Sequence, residues 1–227
     1  WLNEWVSGES EFVTPESWEG CYSPEVKPIT QGERVRLVLG ADASTSRDWT
    51  ALVGLDGRDV RLVRVWKPKR GLLRKNKPTI DIDLTIGAEV LELHKRGQVS
   101  AVVCDPFQLH TCILKWEKAG IRVIEMAQTG ARVEADQGLY DAINSRNLRH
   151  YNDPALNDAI ASAVAIETPR GFRLAVAGFL TGWRAPGRFR VARRAFPIGS
   201  DRLWIRHPIL ARTAAGRLAL GRRGNVA

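Results

Sequence analysis

The stretch LVLGADASTSRDWTALVGLDGRDVRLVRVW, Leu37 to Trp66, decides the fold. It reads as three consecutive strands. Val35, Leu37 and Leu39 alternate into Gly40, and Asp42 sits just past that run. Thr50 to Leu55 is the second run, and Asp56-Gly57 is a hairpin turn signal. Val60 to Trp66 alternates again, its apolar residues broken by arginines. A carboxylate at the end of a buried first strand is costly unless it is paired or bound to metal. Asp42 therefore has two readings, the start of a turn or a ligand in a metal-dependent site.

Outward from this meander, Lys67 to Pro78 reads KPKRGLLRKNKP, with Lys67, Lys69, Arg70, Arg74, Lys75 and Lys77 as its basic residues. The stretch is either a solvated loop or a contact to backbone phosphates. Pro78-Thr79 opens a helix, with Ile80, Leu84, Ala88 and Leu91 at helical spacing and Gly97 as its stop. Val99 to Cys104 is a buried strand that ends at Asp105-Pro106. A helix over 107–119 follows, with Leu109, Ile113 and Trp116 on one face. Ile121 to Met126 is another strand, and helices are expected over 130–148 and 154–167. Gly171 to Leu174 begins one more strand.

Three hairpin-linked strands followed by βα units predict an α/β fold, a mixed five-stranded sheet with helices on both faces. If the fourth strand pairs beside the first, the order is 3-2-1-4-5. The crevice then opens between strands one and four, where ligand sites of such sheets lie. Asp42 and Asp105 are far apart in sequence, yet this topology makes them neighbours. That coincidence favours the metal reading of Asp42 over the turn reading.

Charge divides the chain sharply. The net charge is +9, but residues 1–170 carry −2 and residues 171–227 carry +11, with twelve arginines, no lysine and one acid, Asp201. A basic pI therefore says nothing about nucleic-acid binding by the main domain. No apolar run reaches the roughly 18 residues of a membrane span, so no membrane association is expected. Cys21, Cys104 and Cys112 lack framework or zinc spacing, which predicts reduced thiols in a cytosolic setting. His94, His110, His150 and His207 have no ligand spacing either. The chain begins at Trp1 rather than Met, and a fragment of a longer protein is expected.

The pieces GADASTSRDWTALV (40–53), VVCDPFQ (102–108), the stretch from Ala127 to Ala165 and GFRLA (171–175) resemble the nuclease domain of phage terminase large subunits. These are ribonuclease H-like enzymes that cut viral DNA during packaging. The opening LNEWVSGESEFVTPESWEGC (2–21) resembles the stretch that joins their ATPase to their nuclease. The resemblance implies three parts: an interdomain linker over 1–33, a nuclease domain over 34–175, and an Arg-rich tail over 176–227.

It implies a DNA endonuclease that hydrolyses double-stranded DNA with two Mg²⁺ or Mn²⁺ ions. Asp42 would bridge the ions, Asp105 would hold one, and Asp48 would tune the second or else cap the second strand. Gln108 and Gln128 would orient water or DNA, or else lie on the surface. Partners implied are double-stranded DNA, a terminase small subunit and a portal protein, in the cytoplasm of a bacterial host. No GxxxxGK[ST] loop occurs, so no ATP site is expected.

The chain departs from the family after Ala175. The expected Lys-x-Ile-Asp-like phrase with the last acid is absent, and arginine replaces lysine throughout. A reading-frame shift in a GC-rich gene would produce this change, and so would a true DNA-gripping tail that stays poorly ordered. Asp153, Asp158 and Glu167 lie close enough in sequence to be considered as replacements. Loss of one ligand predicts weak or absent cleavage. The alternatives are another ribonuclease H-like nuclease, of resolvase or integrase type, and a non-catalytic DNA-binding remnant.

Overall fold

The computed structural model describes residues 9–45, 49–69, 79–126, 130–168 and 171–176. Its centre is the five-stranded sheet expected from the sequence. After a short strand β1 (Glu9–Glu11) and a single helical turn α1 (Pro15–Glu19) come β2 (Leu37–Asp42), β3 (Thr50–Asp56) and β4 (Asp59–Trp66). A π-helical turn over Asp83–Gly87 leads into α2 (Ala88–Lys95). Then follow β5 (Val99–Cys104), α3 (Pro106–Lys118), β6 (Val123–Glu125), α4 (Gly130–Asn144), α5 (Pro154–Ala161), β7 (Ala163–Thr168) and β8 (Gly171–Val176). The main sheet runs β4-β3-β2-β5-β6, which is the order 3-2-1-4-5. β2 and β3 pair antiparallel, and β2 and β5 pair parallel.

Alternation along each strand buries both faces. Leu37, Leu39 and Ala41 of β2 pack with Val90, Leu93, Leu109, Ile113 and Trp116 under α2 and α3. Ala51, Val53, Val60 and Val63 face a second core under α4 and α5, with Leu139, Ile143, Leu156 and Ile160. Phe12 and Trp18 of the acidic opening segment belong to that second core. The segment expected to link domains thus contributes side chains to the folded body. β1 pairs antiparallel with β7, from Glu9 opposite Ile166 to Glu11 opposite Val164.

Two local expectations are corrected. The helix expected over 154–167 ends at Ala161, and Ala163–Thr168 is a strand. Val164, Ile166 and Thr168 are β-branched at a spacing of two, which favours a pleated backbone over a helix. With β1 and β8 it forms a second, three-stranded sheet in the order β1-β7-β8. The helix expected from Thr79 begins instead as the π turn, and its buried positions are Ile86, Val90 and Leu93, whereas Leu84 is 75% exposed. A π turn inserts one extra residue per turn, so the apolar stripe shifts phase.

Candidate active site

β2 and β5 run side by side in parallel, with Ala41 opposite Cys104 at the last paired position. Both of these residues face the core under α2 and α3. The next residue on each strand is an acid, Asp42 on one and Asp105 on the other. Alternation turns both away from that core, toward the opposite face of the sheet. The two acids therefore lie at the same level, at the carboxyl ends of adjacent parallel strands. This is the point where the strand order reverses.

The two environments differ. Asp42 is 1% exposed, and its buried Oδ2 accepts no hydrogen bond. Asp105 is half-buried and caps α3: the Phe107 amide donates to its Oδ1 at 2.9 Å, and Pro106 occupies the first helical position. Neither acid is isolated from its surroundings. The side chains at these two strand ends offer carboxylate oxygens, which suit a hard divalent ion better than thiolate or imidazole would. Cys104, next to Asp105, is buried with its thiol pushed up to about 12, first by burial and then by the charges of Glu125 and Asp105. It stays a neutral apolar neighbour. Among the described residues no group of three His, Cys, Asp or Glu side chains is placed to hold a metal.

The remaining candidates are spread out. Asp48 and Gln128 lie outside the described residues, as do Arg70, Arg74, Lys75 and Lys77. Lys67 is described, and its ammonium sits 4.3 Å from the centroid of the Trp49 ring. Lys69 exchanges backbone hydrogen bonds of 3.0 Å with Thr79 in both directions. Lys69 and Thr79 are thus paired to one another. The Ile80 amide donates to the Thr45 carbonyl at 2.8 Å, which ties the residue after Thr79 to the chain three residues after Asp42. Gln108 is half-buried in the first turn of α3, and its Oε1 makes no hydrogen bond. Asp153 caps α5 through the Ala155 and Leu156 amides at 3.0 and 3.1 Å. Asp158 is exposed, and Glu167 lies on β7 opposite Phe172. His94 meets the Ala119 carbonyl, His110 is exposed, and His207 lies outside the described residues.

One acid escaped the sequence reading. Asp136 of α4 is 3% exposed, and the Leu174 amide of β8 donates to its Oδ2 at 3.0 Å. It fixes the strand after which the family resemblance expects the last acid. Its only sequence signal is its place between Val133 and Leu139 on the inward face of a helix.

No family model matches the chain. A sequence relative is the gene 13 protein of Mycobacterium phage D29, 31% identical over 81 residues, which covers 30% of this chain and 13% of that one. The match therefore spans a small part of the relative's length. Among solved structures, the HK97 bacteriophage large terminase aligns with a TM-score of 0.57 at 20% identity, covering 74% of this chain and 39% of that one. The large terminase nuclease from thermophilic phage G20c aligns with a TM-score of 0.53 at 11% identity, covering 72% of this chain and 88% of that one.

The chain has the fold of a phage large-terminase nuclease. The G20c nuclease has also been solved with bound magnesium and with bound cobalt. In the terminase-nuclease fold of the present chain, Asp42 ends β2 and Asp105 directly follows the neighbouring parallel strand β5.

Proposed function

We propose that this chain is the nuclease domain of a DNA-packaging terminase and that it cleaves double-stranded DNA with divalent metal. The observation that carries the reading is the register of β2 and β5, which brings Asp42 and Asp105 to one level at the switch point. The terminase-nuclease fold supports it, and so does the magnesium bound in the G20c nuclease, a protein of like fold. Asp42 and Asp105 would hold the metal, with Asp48 as a further ligand. Divalent ions held by these carboxylates would supply activation of the attacking water and stabilisation of the leaving 3′ oxygen.

The chain's own residues perform the rest. Burial holds Asp42 at the end of β2, 1% exposed. Asp105 is oriented by its hydrogen bond to the Phe107 amide. The basic stretch from Lys67 to Lys77 would meet backbone phosphates on either side of the cut. A last acid would add one more carboxylate of counter-charge to Asp42, Asp105 and Asp48, so its absence from the sequence would make this site a slow one.

Nicking of supercoiled plasmid in Mn²⁺ tests the proposal. The parent chain is expected to nick slowly, and Asp42→Asn and Asp105→Asn to lose at least roughly a hundredfold, a scale set by loss of several kcal/mol of charge stabilisation. Equal rates in parent and both variants would sink the assignment of the acid pair. Manganese binding followed by its electron paramagnetic resonance signal reads the same pair without cleavage.

A further inference from the structure

We infer that Phe107, two residues past Asp105, is a base-stacking residue, and that the site takes DNA opened at the cut position in preference to intact duplex. This rests on the nuclease reading above and deepens it by naming the substrate class.

Phe107 is 84% exposed, the most exposed large apolar side chain among the described residues. Leu109, Cys112, Ile113 and Trp116 of the same helix are all buried, so α3 has packed its apolar face and left Phe107 out. Leu84, Leu114, Tyr22 and Tyr140 are exposed as well, and scattered apolar residues on a surface need no special account. Phe107 differs from them by its place. It is two residues past Asp105, and its amide is bonded to that carboxylate at 2.9 Å. Pro106 between them fixes one backbone angle. The ring is thus carried on backbone held rigidly against one of the two acids.

A phosphate at the acid pair would bring its flanking nucleotides to the start of α3. Intact duplex presents only base edges, sugars and phosphates there, and a phenyl ring forms no hydrogen bonds with them. It can stack on the face of a base, and that face is free only where the base has left its neighbours. A ring fixed beside the acids therefore rewards opened DNA and gives paired DNA little.

The test is fluorescence anisotropy with the full chain in Ca²⁺, an ion that seeks the same oxygen donors. Two labelled oligonucleotide duplexes are compared, one fully paired and one with a short central bubble. The parent is expected to bind the bubble roughly tenfold more tightly, the scale of one base–aromatic stack. Phe107→Ala should bind both duplexes as the parent binds the paired one, and Phe107→Trp should keep the preference. Because the side chain is exposed, Phe107→Ala should melt at the parent's temperature. Equal affinity of the parent for the two duplexes, or a preference that survives Phe107→Ala, overturns the inference and leaves the nuclease reading standing. A parent that binds neither duplex overturns both.

Discussion

Asp105 stands at the crevice and also begins a helix, and these two roles can be separated. Its carboxylate caps α3 through the Phe107 amide. Asn caps a helix as well as Asp does, whereas Ala leaves the first amides without an acceptor and costs about 1 kcal/mol. Asp105→Asn is therefore expected to melt with the parent, and Asp105→Ala to melt a few degrees lower. Both should lose metal-dependent nicking, because neither carries the charge. If Asp105→Asn melted well below the parent, the acid would be holding the fold through something other than the cap. The places of Asp42 and Asp105 at the ends of adjacent strands were legible in the sequence because each follows an apolar run. Asp136 was not, because its partner is a backbone amide 38 residues away, on a strand whose pairing no local pattern reveals.

At the scale of elements, the β2–β3–β4 meander was readable because alternation, a turn signal and β-branched residues agree there. Gly54 shows how tightly it is packed. A Cβ at Gly54 would lie 2.9 Å from both Leu37 Cδ1 and Leu39 Cδ2 and 3.0 Å from Leu62 Cβ. The register also shifts between Gly54 and Leu55. Gly54→Ala is thus expected to cost about 1–3 kcal/mol, the usual penalty for overpacking a core. Chemical denaturation measures it, and an unchanged midpoint would mean that the leucines give way freely. The elements that misled the reading fail for identifiable reasons. The π turn at Asp83–Gly87 moved the apolar stripe of α2, and Trp116 Nε1 donates to the Gly87 carbonyl at 3.3 Å, satisfying an acceptor of that turn. The alanines of Ala155–Ala165 imitate a helix, while the alternation of Val164, Ile166 and Thr168 is what the second sheet uses.

Across the whole molecule, the opening segment is held to the main body at His150, which sequence spacing left without a role. The His150 amide donates to the Cys21 carbonyl at 3.0 Å, and the Ser23 amide donates to the His150 carbonyl at 3.0 Å. Its ring lies flat against Trp18 with centroids 4.1 Å apart, its Nε2 meets the Trp18 carbonyl at 3.1 Å, and its Nδ1 accepts from the Asn152 amide at 3.1 Å. With Nδ1 accepting, the neutral ring donates from Nε2. Burial pushes its pKa below the ordinary histidine value, and the Trp18 carbonyl opposes this only in part. The folded ring therefore binds fewer protons than the same ring in the unfolded chain, and stability rises with pH through this window. The contribution is fully present above the ordinary value near 6.5 and is lost as pH falls toward the depressed folded value. Melting followed from pH 7.5 to 5 should show the parent losing stability more steeply than His150→Gln, which has no group to protonate there. Parallel curves for the two proteins would mean that His150 is not the site where acid loosens the opening segment.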